Sequence, residues 1–163
     1  MGNVPYYITT PILFHTLRPP LPIRCVFLVQ REVADRMVSP PGSREYGALS
    51  VNVQAIAHAE IVRIVPPRSF VPPPKVDSAV VRVTPLAQPI VPENEIEAFR
   101  TFVLAVFGMR RKQIGTILRA IWGISGDQAQ RILSQAEIDP MMRPETLSAG
   151  TFATLLRART ISS

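Results

Sequence analysis

The chain has 163 residues, of which 47% are hydrophobic and 18% charged. This composition excludes disordered and fibrous proteins. No apolar run approaches the roughly 18–20 residues that span a bilayer, and no signal-peptide layout is present, so we expect a soluble, cytoplasmic protein without a membrane partner. One cysteine, Cys25, and two histidines cannot build a disulfide framework or a zinc-type ligand set, and no metal is expected.

The charge balance favours a polyanionic partner. Eighteen basic residues against twelve acidic ones give a net charge of +6. Nucleic acid is the usual partner of such a surface, although basic proteins without one are also common.

Proline is distributed unevenly along the chain. Fifteen of its seventeen prolines lie within residues 1–92. Because proline is excluded from helix interiors and central strands, this asymmetry marks a boundary. We predict an α/β region over 1–86, a linker over 87–92 and an all-α domain over 93–163.

Helices alternate with apolar strands in the first region, which predicts a mostly parallel sheet closed by a hairpin at one edge. The strand over 24–30 is apolar enough to be buried on both faces. The predicted elements are a helix capped at Thr9 or Thr10, a strand over 24–30, helices over 32–38 and 47–58, and strands over 60–65 and 78–84.

Apolar residues recur at helical spacing in the second region, which predicts a small helical bundle. Gly123 ends the second helix, and Ser125 with Gln128 forms a capping box that begins the third. The apolar stripes are Phe99, Phe102, Val103, Val106 and Phe107, then Ile114, Ile117, Leu118, Ile121 and Trp122, then Ala129, Ile132, Leu133 and Ala136, and finally Phe152, Leu155 and Leu156.

Two segments of the first region could bind a flat heterocycle. In Asn3-Val-Pro-Tyr6 an amide, a rigid proline and an aromatic ring lie within four residues, although an ordinary turn could have the same sequence. In the segment from Phe70 to Ser78, prolines stiffen a loop and fix how Phe70 is presented, although this loop alone could be a connector.

Five ordered blocks resemble the ribosomal RNA adenine dimethyltransferase family, and the match is best to its bacterial small-subunit branch. The resemblance runs from Asn3 to about Leu156. The blocks are Asn3-Val-Pro-Tyr6, Gln30-Arg-Glu-Val-Ala-Asp-Arg36, Tyr46-Gly-Ala-Leu-Ser-Val51, Phe70-Val-Pro-Pro-Pro-Lys-Val-Asp-Ser78 and Phe107-Gly-Met-Arg-Arg-Lys112.

The resemblance implies a Rossmann-like methyltransferase domain followed by a small all-α domain. It also implies transfer of methyl groups from S-adenosylmethionine to the exocyclic amines of two adjacent adenines near the 3′ end of 16S rRNA, in small-subunit maturation. The implied partner is 16S rRNA or the small-subunit precursor. We expect the chain to be a monomer.

Carried over to this sequence, the resemblance assigns roles to four residues of the base pocket. Asn3 would accept a hydrogen bond from the target amine and also border the cofactor, with the Pro5 carbonyl as second acceptor. Tyr6 would stack on the base, and Phe70 would close the pocket from the other side.

Arg110, Arg111 and Lys112 are predicted at the start of a helix. A solvated charge run is the usual explanation of such a triplet, but in this family the triplet lies where the enzyme meets rRNA. Weaker candidates for the same surface are Arg31, Arg36, Arg44 and Lys75.

The family pattern is incomplete at the front of the chain. No G-x-G occurs, and Asn3 is only the third residue of the chain, so we expect only the C-terminal half of the catalytic domain, without the glycine-rich turn and ribose-binding acid. We therefore expect this chain alone to be inactive and not to bind S-adenosylmethionine. The alternatives to an incomplete enzyme are a non-catalytic RNA-binding or ribosome-assembly module and a nonfunctional fragment.

Overall fold

A computed structural model of the chain describes residues 2–3 and 23–161, without the side chains of residues 2, 3, 160 and 161. The helix predicted at Thr9 or Thr10 lies outside these residues. The strands are β1 (Gly2–Asn3), β2 (Cys25–Gln30), β3 (Ala57–Val65) and β4 (Ser78–Pro85), and the helices are α1 (Arg31–Val38), α2 (Ala48–Gln54), α3 (Ile96–Phe107), α4 (Ile114–Trp122), α5 (Gly126–Gln135) and α6 (Ala149–Ile161).

The four strands form one sheet in the order β1-β2-β4-β3. The predicted hairpin is confirmed, because β3 pairs antiparallel with β4 at the edge. The prediction of a mostly parallel sheet is wrong for the described residues: β1 pairs parallel with β2, but β4 pairs antiparallel with both β2 and β3. The chain turns back after β3, and β4 inserts between β2 and β3, which both run in the opposite direction. A pattern of apolar residues cannot show this insertion.

Helices α1 and α2 cover one face of the sheet. Alternate residues of β2 point into this layer, and Cys25, Phe27 and Val29 are buried while the residues between them stay partly exposed. The expectation that this strand is buried on both faces is therefore wrong in the described structure.

The boundary between α2 and β3 also differs from the prediction. The helix predicted over 47–58 ends at Gln54, and β3 begins at Ala57 rather than at residue 60. Ala57 and Ala59 are buried opposite β4, with Ala59 paired to Val83. Pairing along β4 thus overrides the helix propensity of this alanine-rich stretch.

The signals predicted for the helix ends at Gly123 and Ser125 are confirmed. Gly123 adopts a left-handed conformation, with φ of 64°, and ends α4. Ser125 Oγ accepts a hydrogen bond from the backbone N–H of Gln128, and Gln128 Oε1 accepts one from the backbone N–H of Ser125. The predicted capping box is therefore present. No helix among the described residues is long and apolar enough to cross a bilayer.

One hydrophobic core runs through both halves of the described chain. Tyr46, from the loop before α2, is fully buried, and its hydroxyl donates a 2.8 Å hydrogen bond to the Leu147 carbonyl. Its ring meets Phe107 edge to face. The division at residues 87–92 stays a prediction, and the structure adds that this segment is bonded to the first half, since Ile90 N donates to the Ala55 carbonyl at 2.9 Å.

We expect Tyr46→Phe to lower the free energy of unfolding by about 1–3 kcal/mol, because the Leu147 carbonyl loses its buried donor. Burial also raises the pKa of the Tyr46 phenol above its ordinary value of 10.0. The folded state therefore holds the phenol proton more tightly than the unfolded state does. The stability that the protonated phenol contributes is complete below pH 10.0 and is lost as the pH rises above that value. Urea unfolding of both proteins at pH 8 and near pH 10.5 checks this. Equal stability at pH 8 would contradict it.

Candidate base pocket and nucleic-acid interface

The candidate base pocket lies at one edge of the sheet. Strand β3 runs in the same direction as β2, because both are antiparallel to β4, and β1 is parallel to β2. The carboxyl ends of all three strands therefore meet at one edge, together with the loop that enters β4. In open α/β sheets this edge is where ligands bind.

Asn3 ends β1 and is paired with Leu28, two residues before the end of β2. The backbone of Asn3 thus reaches the carboxyl edge, as its predicted role requires. The Asn3 side chain is not described, and Pro5 and Tyr6 lie outside the described residues. Their contacts stay predictions.

Phe70 lies at the same edge, on the loop between β3 and β4. A short 3-10 turn, Pro67–Ser69, precedes it and is closed by hydrogen bonds from Ser69 N to the Pro66 carbonyl at 3.0 Å and from Phe70 N to the Pro67 carbonyl at 3.1 Å. Phe70 is partly exposed, so its side chain is accessible to a ligand at this edge.

The far end of this loop is fastened to the first turn of α1. Arg31 N donates to the Asp77 carbonyl at 3.0 Å, and the Arg31 guanidinium lies 3.4 Å from an Asp77 carboxylate oxygen. Asp35 is a second partner of Arg31, at 3.7 Å. Exposed ion pairs contribute little to stability, so the effect of these contacts is to fix where the loop sits.

A cleft of about 540 Å³ lies between this loop, α1 and the segment before α2. Four carboxylates line it, against two cations, Arg31 and Lys75. The excess of negative charge disfavours phosphate and suits neutral groups that donate hydrogen bonds. The carboxylates are Glu32, Asp35, Glu45 and Asp77.

The described residues do not fit S-adenosylmethionine by the family pattern. Neither β2 nor β3 ends in an acidic residue, and no glycine lies in the turns that follow them. Gly42 and Gly47 have open space where a Cβ would lie, rather than the close approach of a ligand-binding turn.

Arg110, Arg111 and Lys112 lie in the turn between α3 and α4, and we call these three residues the basic turn. The prediction that they begin a helix is wrong. Arg110 N bonds to the Phe107 carbonyl and Lys112 N to the Met109 carbonyl, so a tight turn continues from the end of α3 and α4 begins only at Ile114. Cations are favoured beside the carbonyl end of a helix, which explains this placement.

The basic turn is exposed, and none of its three side chains pairs with a carboxylate among the described residues. Arg110 donates to the Arg44 carbonyl at 3.1 Å, across the junction between the halves. Arg44 is 95% exposed, and the next residue, Glu45, lines the cleft. The basic turn therefore lies near this cleft, a proximity that residues 66 positions apart could not reveal in the sequence.

Of the weaker candidates, Arg36 lies in an ion pair with Glu32 on α1, and Arg31 is held by Asp35 and Asp77. Lys75 is exposed on the Phe70 loop and lines the cleft. Arg44 is exposed but lies 3.7 Å from the Glu45 carboxylate. Lys75, which has no carboxylate partner among the described residues, is therefore the best placed of the four for an RNA surface.

The model of the ribosomal RNA adenine dimethylase family matches residues 1–159. The chain belongs to the ribosomal RNA adenine dimethylase family. This dimethylase-family chain is 45% identical over 159 residues to the ribosomal RNA small subunit methyltransferase A of Anoxybacillus flavithermus, covering 95% of the chain and 54% of that relative. It is 43% identical to the protein of the same name in Bacillus mycoides, covering 97% and 56%. The chain spans about half the length of these relatives.

Two solved structures share the fold of the dimethylase-family chain. A dimethyladenosine transferase from Plasmodium falciparum superposes with a TM-score of 0.80 at 22% identity, covering 98% of this chain and 66% of that one. The 23S rRNA methyltransferase ErmE superposes with a TM-score of 0.67 at 24% identity, covering 96% and 63%. The mixed α/β sheet with a helical bundle is therefore the fold of known methyltransferases.

Proposed function

We propose that this chain forms the adenine-binding and rRNA-docking part of a cytoplasmic, monomeric enzyme that dimethylates two adjacent adenines near the 3′ end of 16S rRNA during small-subunit maturation. The observation that carries the proposal is the parallel pairing of β1 with β2, which puts Asn3 at the sheet edge that also holds the Phe70 loop. Family membership supports it, since the relatives are named as small-subunit rRNA methyltransferases.

The chemistry suits the residues proposed for the pocket. The amine of adenine is a weak nucleophile, because its lone pair is delocalised into the ring. Two acceptors, the Asn3 side-chain oxygen and the Pro5 carbonyl, would favour the form in which the lone pair is localised on nitrogen. S-adenosylmethionine, the proposed donor, supplies an electrophilic methyl group when bound.

Stacking offsets the cost of taking the adenine out of its helix. Unstacking one base costs a few kcal/mol, and stacking on an aromatic side chain contributes about 1–3 kcal/mol. Tyr6 and Phe70, on opposite faces of the base, would therefore suffice to hold a flipped adenine.

The reading frame immediately upstream of Met1 tests the proposal at little cost. The proposal predicts an in-frame strand, glycine-rich turn and helix, followed by a second strand that ends in an acidic residue. A stop codon shortly before Met1 would contradict the enzyme and favour a non-catalytic RNA-binding module.

We expect the triple variant Arg110→Ala, Arg111→Ala, Lys112→Ala to flatten the salt dependence of RNA binding. If all three side chains contact phosphates, the slope of log affinity against log salt becomes less negative by about 2–3. Titration of this chain with a 16S rRNA 3′ fragment at several potassium chloride concentrations measures the slope.

The matched control is Arg119→Ala, Arg131→Ala, Arg143→Ala, which removes the same charge from three exposed arginines outside the basic turn. Its slope should stay close to that of the unmodified chain. Equal changes of slope in the two triple variants would assign the effect to net charge and not to phosphate contacts at the basic turn.

A further inference from the structure

The tip of the Phe70 loop presents an unusually exposed apolar side chain. Val71 is 100% exposed, and Val76 on the same loop is 47% exposed. Single exposed apolar residues are common on protein surfaces and need no explanation by themselves. Three further features of this loop indicate a specific contact.

The loop is held rigidly although it is exposed. The 3-10 turn Pro67–Ser69 supports it on one side, and the bond from Arg31 N to the Asp77 carbonyl fastens it on the other. The segment 72–74 between them consists of three prolines, which restrict the backbone further. The conformation of the tip is therefore fixed before any partner binds, which lowers the entropic cost of binding.

Cations flank the apolar tip. Arg68 lies three residues before Val71 and Lys75 four residues after it, both are exposed, and neither pairs with a carboxylate among the described residues. An apolar side chain between two cations that lack carboxylate partners among the described residues matches the chemistry of nucleic acid, in which stacked bases lie between phosphates. It does not match an apolar protein surface, which would leave both charges without partners.

The tip also lies in the right place. It follows Phe70 directly, at the sheet edge reached by the end of β1, and Lys75 lines the adjoining cleft. A side chain at this position would meet the RNA beside an adenine held between Tyr6 and Phe70.

We propose that Val71 is a wedge that enters the RNA base stack next to the target adenine and fills the space that the flipped adenine leaves, while Arg68 and Lys75 contact the neighbouring phosphates. Apolar side chains inserted between base steps partly unstack them in this way. The inference rests on the proposed function and adds Val71 as a positioning residue that does not touch the reacting amine.

The test uses the full 163-residue chain and a stem–loop RNA with two adjacent adenines. The fluorescent base 2-aminopurine replaces the nucleotide next to the target adenine, where it brightens on losing its stacking neighbour to an aliphatic side chain. We expect the unmodified chain to raise the fluorescence at saturation. Val71→Ala should lower this rise at least threefold, with RNA affinity changed less than twofold, and Val71→Leu should keep it.

The control is Val62→Ala, which shortens another exposed valine, on β3, and should leave the fluorescence rise unchanged. Melting temperatures of all variants should agree, since neither valine is buried. A rise in Val71→Ala equal to that of the unmodified chain, or RNA binding without any rise, would overturn the wedge and leave the proposed function intact. Failure of the unmodified chain to bind the RNA would contradict both.

Discussion

Replacing Asn3 with alanine is expected to lower methyl transfer at least about 100-fold while changing rRNA affinity less than twofold. Asn3 is proposed to accept a hydrogen bond from the amine as it attacks, and losing one such preorganised transition-state contact typically costs about 100- to 1,000-fold in rate. Binding is expected to persist because it depends on the basic turn and on the exposed cations of the loops.

The measurement uses a chimera in which the part of the Anoxybacillus flavithermus relative that precedes the matched region is joined to Met1 of this chain. Radioactive methyl incorporation into small-subunit particles gives the rate. Asn94→Ala, at an exposed asparagine in the turn before α3, is the matched control and should keep the full rate. Full activity of the Asn3→Ala chimera would contradict the proposed role of Asn3 as an acceptor for the target amine.

Replacing Phe152 with alanine is expected to lower the free energy of unfolding by about 3–5 kcal/mol, the usual cost of deleting a buried aromatic ring. Phe152 on α6 is fully buried, and its ring centroid lies 6.1 Å from that of Phe102 and 5.7 Å from that of Phe107. Total stabilities are about 5–15 kcal/mol, so this change alone removes a large fraction.

Urea unfolding of this chain measures that loss. Phe70→Ala is the matched control, because the Phe70 ring is partly exposed on a loop outside the core. We expect it to change stability by less than about 1 kcal/mol, as for most substitutions at exposed positions. A loss in Phe152→Ala no larger than that in Phe70→Ala would contradict a core centred on the three phenylalanines.

The helical half could be predicted from the sequence because its signals are local. An apolar stripe such as Ile114, Ile117 and Leu118 specifies both the helix and its buried face, and the Ser125 capping box marks a helix start within four residues. The sheet was predicted less well. The hairpin of β3 with β4 was expected, but the insertion of β4 between β2 and β3 leaves no trace in the spacing of apolar residues.

The candidate site shows the same limit. Its segments could be picked out by their composition, but the contacts that assemble them join distant residues. Arg31 meets Asp77 across 46 positions, and Arg110 meets the Arg44 carbonyl across 66. The basic turn was predicted at the start of a helix, whereas the hydrogen bonds that close the turn after α3 place it before α4 begins.

The proposed role of this chain is to supply the adenine-binding side of a small-subunit rRNA dimethylase. Its most direct test is mass spectrometry of 16S rRNA from small-subunit particles incubated with the chimera and S-adenosylmethionine. We expect dimethyladenosine at both of two adjacent adenines near the 3′ end, formed at least about 100-fold more slowly by the Asn3→Ala chimera. A folded chimera that binds the particles and leaves these adenines unmethylated, or that methylates other positions, would contradict it.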